Sequence, residues 1–322
     1  MIVDALQYGF FSRESFEALR AAKVGCVTAT LGFWEGTVDS LDAIARWRDF
    51  ARVFADAFAI ARNAREIRDI AASGRVAVLL GFQNATLYEG RIRFVELFAE
   101  LGVRVVQLTY NNQNELGGSC YEEADSGLSR FGGEVVREMN RTGVLVDLSH
   151  AGERTTLDAI RHSLKPVALS HANPASLVKH KRNKGDDVLK ALAERGGVVG
   201  CTAYRHLTGE RHASSLDAWC ELVAKTVGIA GIDHVGIGTA RGHNSSPGEL
   251  DWMRMGRWTR ALDYGAGSAT KPGLAPPADW LREVRDLGQV PDALKRVGFN
   301  AAEVDKITHG NWLRLYDAVF AA

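Results

Sequence analysis

The stretch Arg141-Thr142-Gly143-Val144-Leu145-Val146-Asp147-Leu148-Ser149-His150 contains one repeating unit of the fold in ten residues. Helical periodicity runs up to it from Ser129, the glycine supplies a left-handed helix stop, a short apolar run follows, and polar residues appear as that run ends. The same punctuation recurs at Glu100-Leu101-Gly102-Val103 and at Arg195-Gly196-Gly197-Val198. Working outward, eight strand-like runs can be counted: Ile2 to Gln7, Val24 to Thr30, Val76 to Phe82, Val103 to Thr109, Gly143 to Asp147, Pro166 to Leu169, Gly197 to Cys201 and His234 to Gly238. Helical patterns lie between them, at Ser12 to Ala22, Ile92 to Leu101, Ser129 to Arg141, Thr155 to His162, Asp187 to Arg195 and Ser215 to Gly231. Alternation of this kind predicts a parallel sheet covered by helices, and eight units close a barrel. The expected fold class is therefore α/β, a (β/α)8 TIM-like barrel in one domain over residues 1–322. An open doubly wound sheet shares the alternation but places a Gly-rich phosphate turn after its first strand, and Asp4-Ala5-Leu6-Gln7-Tyr8-Gly9 is not one.

Two stretches depart from the simple repeat. Leu31 to Arg75, rich in alanine and aromatic residues, reads as two helices rather than a linker. Residues 243–277, rich in Gly, Ser and Pro, read as a long loop over one end of the barrel, where Trp252, Trp258 and Tyr264 would wall a pocket or an interface. Extra C-terminal helices are expected at 278–297, 301–308 and 311–320.

The 322 residues carry 39 Lys and Arg against 39 Asp and Glu, with a pI near 7.1, so no long-range field favours nucleic acid or an acidic membrane surface. Cys26, Cys120, Cys201 and Cys220 lie far apart and form no CxxC pair, which argues against a structural zinc site or a disulfide framework. A strand-like segment follows Met1 at once, and nothing approaches the ~20 apolar residues of a membrane span. The expectation is a cytoplasmic protein with no membrane and no nucleic-acid partner.

In such a barrel, chemistry gathers at the C-terminal ends of the strands. The polar residues there are Gln7 and Tyr8, Gln83 and Asn84, Thr109 to Asn112, Asp147, Ser149 and His150, His171 and Asn173, Thr202, Tyr204 and Arg205, and Thr239, Arg241 and His243. A lone histidine at such a place is more often a buried residue bonded to a carbonyl than a ligand. His150 and His171, however, occupy matched positions on consecutive units, where strand ends lie roughly 5 Å apart and two imidazoles converge. The acidic stretch Glu115, Glu122, Glu123 and Asp125 reads as a solvated helix start rather than a ligand source.

The sequence Leu145-Val146-Asp147-Leu148-Ser149-His150, then Ala168-Leu169-Ser170-His171-Ala172-Asn173-Pro174, Arg182-Asn183 and Asp186, resembles the renal or membrane dipeptidase family in order and spacing. Gln107-Leu108-Thr109-Tyr110-Asn111-Asn112, Gly236-Ile237-Gly238-Thr239, Val3-Asp4 and Gly310-Asn311-Trp312 extend the likeness over almost the whole chain. The resemblance implies a barrel of the metal-dependent hydrolase type, a homodimer, and a two-zinc centre held by a His-x-Asp, a bridging Glu, two histidines and an Asp. Of these, His150 and His171 match. Leu6 and Tyr8 stand at the His-x-Asp, Gln83 at the bridging Glu, Ala240 at the strand-eight Asp, and Tyr110 where a substrate-facing histidine is implied. Arg182 matches the residue that faces the substrate carboxylate or the tetrahedral intermediate.

Leucine donates no lone pair, tyrosine would have to ionise, and glutamine cannot bridge two cations. Two zinc ions are therefore not expected. At most one would bind, through His150, His171 and a third ligand from Gln83, Tyr110 or His243. The leading expectation is a divergent dipeptidase-like enzyme, a hydrolase or a repurposed isomerase, cyclase or lyase. Its substrate is small, amino-acid-derived or peptide-like, and carboxylate-bearing. Tyr110, His150, His171 and His243 would carry acid–base or one-metal chemistry, while Arg182, Asn112, Gln83, Tyr204 and Arg241 would bind. The alternatives are a mononuclear zinc dipeptidase or amidohydrolase, and a non-catalytic binding or scaffold protein.

Overall fold

The structure is a computed structural model that describes residues 1–257 and 275–320. Ten strands occur among these residues: β1 (Ile2–Gly9), β2 (Val24–Thr30), β3 (Phe58–Ile60), β4 (Val76–Phe82), β5 (Val103–Gln107), β6 (Leu145–Asp147), β7 (Ala168–Ala172), β8 (Val198–Cys201), β9 (Val235–Ile237) and β10 (Arg241–His243). Eight of them pair in parallel in the order β1, β2, β4, β5, β6, β7, β8, β9, and β9 returns to β1 at Asp4↔Ile237. The ring is a closed (β/α)8 barrel. The two additional strands are short: β3 pairs with β4, and β10 extends the β9 side along Gln7, Tyr8 and Gly9 of β1.

The unit quoted from the sequence folds as its residues suggest. Ser129 caps helix Arg130–Thr142 by accepting from Gly132 N at 2.9 Å, and Gly143 ends the helix at φ 71°. The glycines of Gly236-Ile237-Gly238 have a packing reason. A Cβ on Gly238 would run into the carbonyl oxygen of Ser170, so β9 can approach β7 only without a side chain there.

Opposite the C-terminal strand ends, helix Asn311–Val319 packs Trp312, Leu313 and Tyr316 in one cluster with Val3, Cys26, Ala77, Leu145 and Ala168, all in the N-terminal halves of their strands. Trp312 also donates to Ile237 O at 3.0 Å. Full burial of a large apolar side chain is worth ~1.5–3 kcal/mol, so this helix seals one end and leaves the other for chemistry.

Several expectations need correction. The stretch read as two helices holds Thr37–Val53 and Ala64–Ala72 with β3 between them, because three residues are too few to show a period. The region read as a loop from 243 holds the end of β10 and helix Pro247–Met255. The helix expected at 278–297 begins only as a 3₁₀ turn at Val284–Gln289, followed by Val290–Arg296. Trp258 and Tyr264 lie outside the described residues. No helix among the described residues is long and apolar enough to cross a membrane.

Candidate active site

The site begins with a buried carboxylate. Asp147, at the end of β6, accepts from Ser149 N (3.0 Å), Ser149 Oγ (2.6 Å), Ser170 N (3.0 Å) and Ser170 Oγ, tying β6 to β7. Beyond this clamp the chain presents His150 and His171. Their Nε2 atoms lie 3.0 Å apart, His171 Nδ1 is 2.8 Å from Ser170 Oγ, and His150 Nδ1 is 2.7 Å from Asn111 Oδ1. The order of protons follows from the anionic end. Ser170 gives its hydrogen to an acceptor-only carboxylate, so His171 Nδ1 must donate to Ser170, and His171 Nε2 must accept from His150. His150 Nδ1 is then an acceptor as well, which calls for the Asn111 amide to present its nitrogen, an orientation that heavy-atom positions alone do not distinguish. Asn111 sits at φ 60°, a left-handed conformation that asparagine tolerates and that turns its side chain to the imidazole.

Both histidines are buried. Their pKa values lie well below the usual 6.5, first because burial disfavours the charged ring and then because Arg182 is close, so both are neutral and carry lone pairs. Tyr110 stacks on His150 with ring centroids 4.3 Å apart, and it is enclosed by Phe33 and Trp34. Burial holds its hydroxyl proton well above the ordinary phenol range and raises that of Tyr8 too. Each is therefore a neutral hydroxyl rather than a phenolate. Arg182, 2% exposed, donates Nη1 to Ser149 O and Nη2 to His171 O. Three of its five N–H groups remain beyond those bonds. Lys184 lies nearby, bonded to Ala151 O and lowered to about 8, chiefly by burial and next by Arg182.

These groups wall one cavity of about 440 Å³, open to solvent. Leu6, Tyr8, Gln83, Tyr110, His150, His171, Arg182, Tyr204 and Ala240 line it, with Leu207 and Met253 added from helices Arg205–Ala213 and Pro247–Met255. Gln83 donates Nε2 to Thr30 Oγ1 at 3.0 Å. Helix Pro247–Met255 is held over the mouth by Trp34 Nε1 donating to Met253 O (3.2 Å) and Trp252 Nε1 donating to Glu35 Oε1 (2.6 Å). Among the described residues, no Asp or Glu lines the cavity. The described residues contain no group of three or more His, Cys, Asp or Glu placed to hold a metal.

Other expected residues lie elsewhere. His243 donates Nε2 to Gln7 Oε1 at 2.7 Å and lies tilted against Phe11 with ring centroids 4.2 Å apart, and it does not line the cavity. The cause is Ala240 at φ 55°, a turn between β9 and β10 that sends the two following side chains away from the mouth's centre. Asn112 also stays off the wall, and its N–H closes on Tyr110 O at 2.6 Å. Arg241 lines an adjoining cavity, while Arg205 is paired with Glu210 and Asp279. The acidic stretch starts no helix. Asp125 instead accepts from Thr155 N and Oγ1 at 2.9 and 2.6 Å, and Glu122 from Gln113 N at 2.6 Å. Reasoning from strand ends overlooked Leu207 and Met253, which come from helices, and the supporting residues Ser170 and Lys184. The serine next to each histidine, in Ser149-His150 and Ser170-His171, was the available signal.

Comparison with known proteins agrees with this architecture. A sequence profile described as membrane dipeptidase (peptidase family M19) matches residues 17–255. The dipeptidase verJ of Clonostachys rogersoniana is 34% identical over 188 residues, covering 58% of this chain and 48% of that protein. The dipeptidase tcpJ of Claviceps purpurea is 32% identical over 206 residues, covering 63% of this chain and 48% of that protein. The chain thus spans about half the length of the curated relatives it matches. A crystal structure of an amidohydrolase from Pseudomonas aeruginosa superposes with a TM-score of 0.90 at 34% identity, covering 99% of this chain and 96% of that one. The profile match spans well over half of the chain, and the chain belongs to the membrane dipeptidase family, peptidase family M19.

Proposed function

We propose that this family member is an enzyme acting on a small, carboxylate-bearing, amino-acid-derived or peptide-like molecule, and that the two-zinc hydrolysis implied by the family pattern is absent. The observation that supports this reading most is the cavity wall itself: two neutral imidazoles face one another at 3.0 Å, and no carboxylate among the described residues accompanies them. Two zinc ions need an anionic bridge and several further donors. The positions implied for those donors hold Leu6, Tyr8, Gln83 and Ala240. The set does not fit a two-zinc centre.

In this reading, Arg182 takes the substrate carboxylate with its remaining N–H groups, a charge-assisted contact. The proton between the facing Nε2 atoms rests on His150, and Ser170 and Asp147 keep His171 in the tautomer whose Nε2 lone pair is available as a general base for a substrate proton. Tyr110, neutral and stacked on His150, donates its hydroxyl to oxygen developing charge on the substrate. Gln83 and Tyr204 complete the wall. A single zinc on His150 and His171 is the second reading, favoured by the convergence of the two Nε2 atoms. Its third ligand would have to be neutral Gln83, because ionising either buried tyrosine is costly.

Metal analysis of protein purified without chelator, followed by turnover of dipeptides and amino-acid amides with and without added zinc, tests this. The expected result is less than about one zinc per chain and no zinc-dependent dipeptide hydrolysis. About two zinc ions per chain together with hydrolysis would overturn it. The proposal also includes one domain over 1–322, a homodimer and a cytoplasmic setting, and the dimer is checked by light scattering.

A further inference from the structure

Beside the main cavity lies a second, of about 390 Å³, and the two share Tyr8, Tyr204 and Ala240 as a common wall. Arg241 lines the second. Its Nη1 donates to Gly242 O and its Nη2 to Arg282 O, each at 2.8 Å, so its bonds go to neutral backbone carbonyls and to no carboxylate. Its Nε is buried and has no hydrogen-bond partner. Two of five N–H groups are engaged and three remain, including the orphaned Nε–H. A largely desolvated guanidinium with no carboxylate bonded to it and an unmet donor is a costly arrangement that a bound anion would relieve.

The backbone holds this residue where it is by force rather than by preference. Ala240 occupies φ 55°, a conformation costly for alanine. It is kept there from both sides: Asp4 accepts from Thr239 N (2.8 Å) and Thr239 Oγ1 (2.5 Å), and Ala240 N donates to Leu6 O (3.1 Å). The turn keeps the Ala240 methyl on the wall between the cavities and directs Arg241 to the second. The charge around it selects the anion. Arg205, on the same wall, is already paired with Glu210 and Asp279, each at 2.7 Å, whereas Arg241 has no ion pair among the described residues and only a through-space attraction to Asp286. That matches a planar, singly charged carboxylate and disfavours a doubly charged phosphate.

We infer that Arg241 is a second carboxylate subsite, joined to the barrel-mouth cavity across Tyr8, Tyr204 and Ala240, so that the molecules filling both cavities carry two carboxylates. The inference deepens the reading proposed above and rests on it, with Arg182 taking the first carboxylate. Calorimetric titration with succinate, glutarate, adipate, butyrate and inorganic phosphate tests it, on the wild type and on Arg241→Gln, Arg241→Lys and Arg182→Gln. At least one dicarboxylate should bind roughly tenfold more tightly than butyrate. Arg241→Gln should erase that advantage by weakening the dicarboxylates more than butyrate, Arg241→Lys should keep part of it, and Arg182→Gln should weaken every acid. Thermal melts confirm that each variant is folded. The inference falls if dicarboxylates bind no better than butyrate, if their advantage survives in Arg241→Gln, if phosphate binds more tightly than any of them, or if no acid binds. If Arg182→Gln changes nothing while Arg241→Gln lowers dicarboxylate affinity, the subsite stands and the assignment of Arg182 fails.

Discussion

The two halves of the barrel mouth share a scaffold and differ in their chemistry. On the β6–β7 side, Asp147 collects four donors from Ser149 and Ser170, and the residues that follow are two imidazoles. On the β9–β1 side, Asp4 collects four donors from Leu6 N, Gln7 Nε2, Thr239 N and Thr239 Oγ1, and the residues that follow are Leu6, Tyr8 and Ala240. Each buried carboxylate sews one strand to its neighbour, so the position of the next side chains is set independently of what those side chains are. A barrel can therefore exchange ligands for apolar or hydroxyl groups on one half and keep the other intact. Ala240 carries a trace of this. Its φ of 55° suits Asp or Asn better than alanine, and an Asp is the residue that the family pattern implies there.

That difference can be broken outright. Leu6→His, Tyr8→Asp, Gln83→Glu and Ala240→Asp together should raise zinc content from below one to about two ions per chain, measured by elemental analysis after dialysis. A quadruple variant that folds and still binds no zinc would mean that the β1 half is shaped against metal by more than its donors. From the other side, His150→Ala with His171→Ala should lower turnover by about 10²–10⁴-fold while the melting temperature moves little, because both sit at strand ends beyond the packed layers. Undiminished turnover would move the chemistry elsewhere. The clamps come next. Asp147→Ala leaves the amides of Ser149 and Ser170 without their acceptor and should cost about 3–5 kcal/mol in urea unfolding, with Asp4→Ala similar. A loss under about 1 kcal/mol would show that the strands are held without them.

The smallest effect expected is a pH slope. His243 is pushed down to about 3, first by burial and then by Arg241. The unfolded chain takes up this proton near pH 6.5 and the folded chain only near pH 3. Within that window the unfolded state binds more protons, so stability falls as the pH drops, by at most about 1.4 kcal/mol per unit from this residue. His243→Gln should make stability fall less steeply between about pH 6 and 4, read as a shift in urea midpoints. An unaltered slope would mean that His243 is not held neutral beside Phe11.

The barrel was legible because its signals are local. Eight apolar runs, glycines such as Gly143 at helix ends, and polar residues as the runs stop need no knowledge of neighbours. Phe58–Ile60 escaped because three residues show no period. Helix Arg205–Ala213 escaped because Gly209 breaks it at φ 72°. At the site, Gln83, Tyr110, His150, His171 and Tyr204 could be read from strand ends and Arg182 from the family resemblance, and all of them line the cavity. His243 and Arg241 could not be placed in the same way, since one left-handed residue before them redirects both.

The sequence by itself determined the number of barrel units, the end at which polar residues collect, and the absence of acidic side chains from three positions, and of a histidine from a fourth, where the family pattern implies them. These follow from periodicity and residue type. Only the tertiary structure decided that His150 and His171 meet nitrogen to nitrogen, that Tyr8 and Tyr110 stay neutral, and that Arg241 faces a cavity of its own. Such outcomes depend on burial and on contacts between residues far apart in the chain, and no local pattern encodes the direction of a side chain after a strained turn.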